Sequence, residues 1–223
     1  MNPLNPFTVA RLPQIRFGAG TLAELPEVLA GYGQHVLLVI GHVSFRNSPN
    51  WHILLDALRA KDMTWDVIRV LEEPTPQLID DSVARYGGGK IDVVAAIGGG
   101  SALDAGKAIA GLLRTGNSVL DHLEGVGRGL PYHGPSTPLI AVPTTAGTGS
   151  EATKNAVLSE RGEGGFKKSF RHEKLVAEVA IVDPQLLASC PKTLIAANGM
   201  DAFTQLLESY VSTRASPFTD AIA

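Results

Sequence analysis

The stretch Ile97-Gly98-Gly99-Gly100-Ser101-Ala102-Leu103-Asp104-Ala105-Gly106-Lys107 concentrates the residue types that can hold a phosphate. Glycines let the backbone turn tightly and approach a ligand closely. If a helix begins there, its first N–H groups have no intrahelical partner and can bond phosphate oxygens. Ser101 adds a hydroxyl, and Asp104 and Lys107, three apart, share roughly one helix face. The spacing is neither GxGxxG nor a Walker loop, whose lysine would come earlier. Taken alone, the triplet also reads as a plain glycine turn into a helix carrying a solvated salt pair.

A second polar stretch changes that balance. Pro143 through Thr153 reads Pro-Thr-Thr-Ala-Gly-Thr-Gly-Ser-Glu-Ala-Thr. Its hydroxyls and backbone groups can bond ribose, phosphate or an amide. Both stretches follow short apolar runs, and ligands of parallel α/β sheets lie across the carboxyl ends of the strands. Two separate polar loops facing one crevice suit a dinucleotide better than a mononucleotide.

The elements that must position these loops follow from the apolar pattern. Strand-like runs occur at 14–17, 35–40, 65–70, 92–97, 139–142 and 179–182. Segments at 22–30, 51–60, 76–85 and 102–113 repeat apolar residues at helical spacing. Alternation of this kind predicts an α/β fold with a mostly parallel sheet covered on both faces. Thr75-Pro76 reads as a cap followed by proline at the first helical position, and Gly87 to Gly89 as that helix's end. Residues 125–138 read as a loop, and Ser159 to Gly165 as a charged hairpin tip. After Asp183-Pro184 no strand-like run appears; 194–197 and 200–212 read as helices interrupted at Asn198-Gly199. The expected division is an α/β dinucleotide-binding domain at 1–188 and the beginning of an all-α domain, truncated, at 189–223.

Bulk properties narrow the function classes. The 223 residues carry 19 basic and 22 acidic side chains, a formal net charge of -3. No long basic run offers a footprint for nucleic acid. The short basic patch at Phe166-Lys167-Lys168 and Arg171-His172 reads as ordinary surface. A single cysteine, Cys190, allows neither an internal disulfide nor a zinc knuckle. No signal peptide and no membrane-length apolar run is evident, so the expected location is the cytoplasm.

With those motifs in hand, the sequence resembles the iron-containing, or group III, alcohol dehydrogenases. The resemblance rests on Gly98-Gly99-Gly100-Ser101 with Asp104 and Lys107, Pro143 through Thr153, Ala180-Ile181-Val182-Asp183-Pro184, and Gly199-Met200-Asp201-Ala202 with Glu208-Ser209-Tyr210. It implies interconversion of a small alcohol and an aldehyde or ketone with NAD or NADP, beside a divalent metal, Fe or Zn. By the same resemblance Gly98, Gly99, Gly100 and Ser101 line the pyrophosphate. Thr144, Thr145, Thr148 and Ser150 lie along the rest of the dinucleotide, and Asp104 and Lys167 border the nicotinamide as catalytic candidates. A homo-oligomer is also expected.

Two positions depart from the family's pattern. Ala177 stands where proline is usual. More seriously, the family's metal is held by one aspartate and three histidines, the first pair an Asp with a His four residues later. Asp201 matches the aspartate, but Gln205 holds the histidine position, and an amide oxygen is a weaker donor for iron or zinc. The six histidines are scattered without ligand spacing. The metal is therefore expected to be absent or weakly bound in this chain, and turnover slight. An inactive remnant or nucleotide-binding subunit of the same fold is the alternative. Another is a related enzyme such as a glycerol dehydrogenase or dehydroquinate synthase.

Cofactor preference turns on the run after 35–40. Nicotinamide sites that prefer NAD place an acid there, which bonds the adenosine ribose and repels a 2′-phosphate. Here the chain has Gly41, with Ser44 and Arg46 following and no acid until Asp56. Ser44 and Arg46 are candidate phosphate donors. The pattern favours NADP over NAD.

Overall fold

The structure, a computed structural model, describes residues 6–223. The start of the expected first domain lies outside the described residues. Strands β1 (Gln14–Phe17), β2 (His35–Ile40), β3 (Thr64–Arg69), β4 (Val93–Gly98), β5 (Leu139–Pro143) and β8 (Val179–Val182) form one sheet in the order β1-β8-β5-β4-β2-β3. Every pairing in it is parallel. Between β5 and β8 the chain makes an antiparallel hairpin of β6 (Asn155–Glu160) and β7 (Phe166–Arg171). The helices are α1 (Leu25–Ala30), α2 (Pro49–Arg59), α3 (Pro76–Tyr86), α4 (Gly100–Leu112), α5 (Lys192–Val211) and α6 (Pro217–Ile222).

Strand alternation sends successive side chains to opposite faces. Leu37 and Val39 of β2, with Val94 and Ala96 of β4, pack with residues of α3, α4 and the hairpin. Val36, Leu38 and Ile40, with Val93, Ala95 and Ile97, pack with residues of α1 and α2. Burial on both faces explains why β2 and β4 read as unbroken apolar runs.

Local chemistry sets the element ends. The Thr75 side chain accepts from the Leu78 N–H, with Pro76 behind it, as the sequence predicts. Asp92 anchors the start of β2: its carboxylate accepts from the N–H groups of Gln34 (2.8 Å) and His35 (2.9 Å). Those donors, that of His35 first, hold its carboxyl below the ordinary value of 3.8. A carboxylate depressed on folding stabilises the native state above its ordinary pKa, and that contribution disappears as pH falls through the folded value. Urea midpoints followed downward from pH 5 are therefore expected to fall less steeply below about pH 4 in Asp92→Asn than in the parent; parallel curves would remove Asp92 from the account.

Three expectations need correction. The hairpin strands β6 and β7 were absent from the predicted strands, and Ser159 lies within β6 instead of at the tip. Helix α5 runs unbroken through Asn198-Gly199; a helix interior tolerates one glycine at roughly 1 kcal/mol. Helix α4 begins at Gly100, so the last glycine is already its first turn. No residue of α5 is buried, and Leu194, Ile195, Met200, Phe203, Leu206 and Leu207 are exposed on it. No helix among the described residues is long and apolar enough to cross a membrane.

Candidate functional site

The two polar stretches meet at the carboxyl ends of β4 and β5. The Thr144 N–H donates to the Gly98 carbonyl (2.9 Å), tying the second loop to the first where β4 and β5 end side by side. No side chain caps α4, whose N-cap is Gly99. The Ala102 N–H turns back to the Gly99 carbonyl (3.0 Å), and the N–H groups of Gly100 and Ser101 are left for a ligand. Side chains from the second loop sit against this turn. A Cβ at Gly100 would stand 3.0 Å from the Thr148 methyl, and one at Gly99 3.3 Å from the Thr145 hydroxyl. A side chain at either glycine would force the neighbouring loop to give by a few tenths of an ångström.

Two cavities adjoin at this junction. One, of about 390 Å³, is lined by Gly41, Ser44, Gly98 to Ser101, Thr144, Thr145 and Thr148, among others. The other, of about 480 Å³, is lined by Gly100, Ser101, Asp104, Thr148, Ser150, Lys167, Asp201 and Gln205, among others. Gly100, Ser101, Thr148 and Glu73 line both, so the two form one crevice. Every candidate site residue borders it except Arg46, which is exposed and lines neither cavity.

Lys107 is the centre of the scaffold beneath the crevice. It is fully buried, and its three ammonium hydrogens serve Asn155 O (2.7 Å), Ser150 Oγ (2.8 Å) and Thr153 Oγ1 (2.8 Å), while Asp104 Oδ1 pairs with the charge at 3.3 Å. Ser150 in turn donates to the same Asp104 oxygen at 2.5 Å. Burial pushes the Lys107 pKa down, and the Asp104 carboxylate opposes that shift. One amine thereby joins α4, the hydroxyl loop and the first residue of β6. Asp104 is engaged in that network through one carboxylate oxygen, Oδ1, and borders the second cavity. Lys167 is not free either: its amine donates to Glu73 (2.6 Å).

Two further residues, Glu73 on the crevice wall and Arg69 beside the Gly41 turn, carry no local sequence signal. Glu73, in the turn after β3, borders both cavities. Arg69, the last residue of β3, pairs in register with Ile40 and donates to the His42 carbonyl (3.2 Å), which sets a guanidinium beside the Gly41 turn. It forms no ion pair among the described residues. Strand periodicity marks both only as polar ends of apolar runs.

The metal expectation fares differently. The Gln205 amide nitrogen donates to Asp201 Oδ1 and to the Gly147 carbonyl, both at 3.0 Å. Both neighbours are acceptors, so the hydrogen-bond network turns the nitrogen toward them and the amide oxygen away. One carboxylate with an N–H resting on it is not a ligand set for iron or zinc. Among the described residues no three His, Cys, Asp or Glu side chains gather to hold an ion. The residues present do not fit the metal.

Residues 13–184 match the family model described as iron-containing alcohol dehydrogenase. The chain belongs to that family. Among curated relatives of this alcohol dehydrogenase family, the long-chain-alcohol dehydrogenase 1 of Geobacillus thermodenitrificans is 40% identical, over 97% of this chain and 55% of the relative. A 1-propanol dehydrogenase of Citrobacter freundii is 37% identical, over 92% and 50%. Among solved structures of similar proteins, the sulfoacetaldehyde reductase of Bifidobacterium kashiwanohense, in complex with NAD+, superposes with a TM-score of 0.85 at 32% identity, covering 97% of this chain and 57% of that one. The chain thus spans about half the length of these alcohol dehydrogenase relatives.

Proposed function

We propose that this chain binds a nicotinamide dinucleotide along the joined crevice and forms the cofactor-binding part of an enzyme that interconverts a small alcohol with an aldehyde or ketone. The observation that carries the reading is the pair of adjoining cavities, one over the uncapped start of α4 and one over Asp104 and Lys167, with Gly100, Ser101 and Thr148 common to both. Family membership supports the reaction class, and the relative solved with NAD+ supports the cofactor class. In this reading the α4 N–H groups and Ser101 bind the pyrophosphate. Thr144, Thr145 and Thr148 orient the dinucleotide, and Lys107 holds the loops at the spacing the ligand needs. The bound nicotinamide would supply or accept the hydride; the protein's part is to fix its orientation. No step is assigned to a metal. The division at residue 188, a cytoplasmic location and a homo-oligomer are parts of the same proposal.

The proposal includes a preference for NADP over NAD. A Cβ at Gly41 would meet nothing nearer than Gly98 Cα at 3.9 Å, so the turn after β2 is open where an acid would otherwise stand. Ser44, on the cavity wall, is a donor for a 2′-phosphate. Arg46 lines neither cavity and is given no part. Titration of both cofactors at one salt concentration tests this. Saturable binding with NADP the tighter is expected; NAD binding at least as tightly overturns the preference, and binding of neither overturns the reading. Nicotinamide absorbance followed with a panel of aldehydes is expected to show at most slight turnover by this chain.

A further inference from the structure

The helix that closes one side of the crevice is tied to the cofactor loops at one point. Leu194 and Asn198 of α5 line the first cavity, and Asp201 and Gln205 line the second. Residues spaced by four, three and four positions share one face of a helix. No residue of α5 is buried, and the side-chain bonds of Thr204 and Ser209 stay within the helix. Gln205 alone, among the described residues, reaches from α5 to the hydroxyl loop by a side-chain hydrogen bond, to the Gly147 carbonyl at 3.0 Å. Asp201 Oδ1 takes the other amide hydrogen, also at 3.0 Å. Loop and helix meet closely there: a Cβ on Gly147 would stand 2.4 Å from the Asn198 carbonyl oxygen. The Gly147–Thr148 peptide is trans, and in a planar trans peptide the N–H points opposite to the carbonyl. A carbonyl pinned to α5 therefore aims the Thr148 N–H away from the helix. That N–H has no acceptor among the described residues, and Thr148 borders both cavities beside Gly100.

We propose that Gln205 is a positioning residue: in place of ligating a metal, it pins the Gly147–Thr148 peptide and so presents the Thr148 N–H to the dinucleotide. This rests on the reading of the crevice as a dinucleotide site. Asp201 is accordingly the anchor of the Gln205 amide and not of an ion, and cofactor binding by this chain needs no divalent cation. The role belongs to the N–H donors of Gln205. A side chain of similar reach that donates to both acceptors replaces it, even one that cannot ligate a cation.

The test compares the parent chain with Gln205→Met, which keeps the length without the donors, and with Gln205→Lys, whose ammonium can serve both acceptors but cannot ligate a metal. Three quantities are read on the whole chain: the NMR order parameter of the Thr148 amide without ligand, NADP affinity with and without a chelator, and the urea midpoint. In the parent the order parameter is expected near the rigid value of about 0.85, and in Gln205→Met below about 0.6. Gln205→Met is expected to weaken NADP about fivefold, the effect of losing one ordinary hydrogen bond, with the urea midpoint unchanged. Gln205→Lys is expected to restore the order parameter and the affinity. A Gln205→Met variant that matches the parent, or one whose urea midpoint falls, overturns the positioning role, as does a Gln205→Lys variant no better than Gln205→Met. NADP affinity that drops on chelation of the parent overturns the independence from metal. A parent that binds no NADP overturns the dinucleotide reading and this proposal with it, whereas a parent that binds NADP with an unaffected Gln205→Met variant overturns this proposal alone.

Discussion

Lys107→Met is expected to lower folding stability by about 3–5 kcal/mol, the effect of removing one partner from a buried ion pair. Methionine fills much of the space but leaves Asp104 without its cation, and Ser150, Thr153 and the Asn155 carbonyl without their common donor. Because Lys107 joins α4 to the hydroxyl loop, cofactor affinity should fall even at temperatures where the variant remains folded. Urea denaturation gives the first quantity and cofactor titration the second. Pairing the change with Asp104→Leu should recover part of the lost stability, because no buried charge then stands alone. A single variant that costs less than about 1 kcal/mol, the scale of an ordinary surface hydrogen bond, would show that Lys107 is not the joint described here.

The second large effect is expected at Gly41. Gly41→Asp should weaken NADP by at least about tenfold, or roughly 1.4 kcal/mol, and leave NAD equal or tighter. The new side chain has room, since its Cβ meets nothing closer than 3.9 Å. It would place a negative charge where the 2′-phosphate of NADP lies in this reading, and like charges at short range in a partly enclosed site repel strongly. With NAD the same carboxylate can accept from the free ribose hydroxyls. Equal losses for the two cofactors would instead mean that the substitution disturbs the turn, and the cofactor assignment at Gly41 would fail.

How far the sequence led depends on how local each signal was. The inner strands β2, β4, β5 and β8 are legible because burial on both faces leaves unbroken apolar runs such as His35–Ile40, whereas the edge strands β1 and β3 are more exposed. Small shifts at their ends, as in β3, reflect polar end residues that periodicity does not weigh. The cap at Thr75 and the glycine turn at the start of α4 were legible because each is a short-range feature of backbone chemistry. The hairpin β6–β7 was not, because β7 carries lysines and an arginine on a half-exposed surface and lacks an apolar run. The roles of Lys107 and Glu73 are hidden for a different reason. Apart from Asp104, three residues before Lys107, their partners lie 43 to 48 and 86 to 94 residues away, beyond any local pattern. Helix α5 continues through Gly199 because one interior glycine costs only about 1 kcal/mol, too little to end a helix of that length. The Gln205 substitution was visible in the sequence. Its consequence, an amide nitrogen turned onto Asp201, needed the positions of Gly147 and Asp201 together.

The central claim is that one dinucleotide lies across both polar loops at the ends of β4 and β5. Amide hydrogen exchange of the chain, alone and saturated with NADP, tests it most directly. The account predicts slowed exchange at two separate segments, 98–103 and 144–150, with the far ends of α2 and α3 unchanged. Saturable binding that leaves either loop's exchange rates unaltered would contradict it.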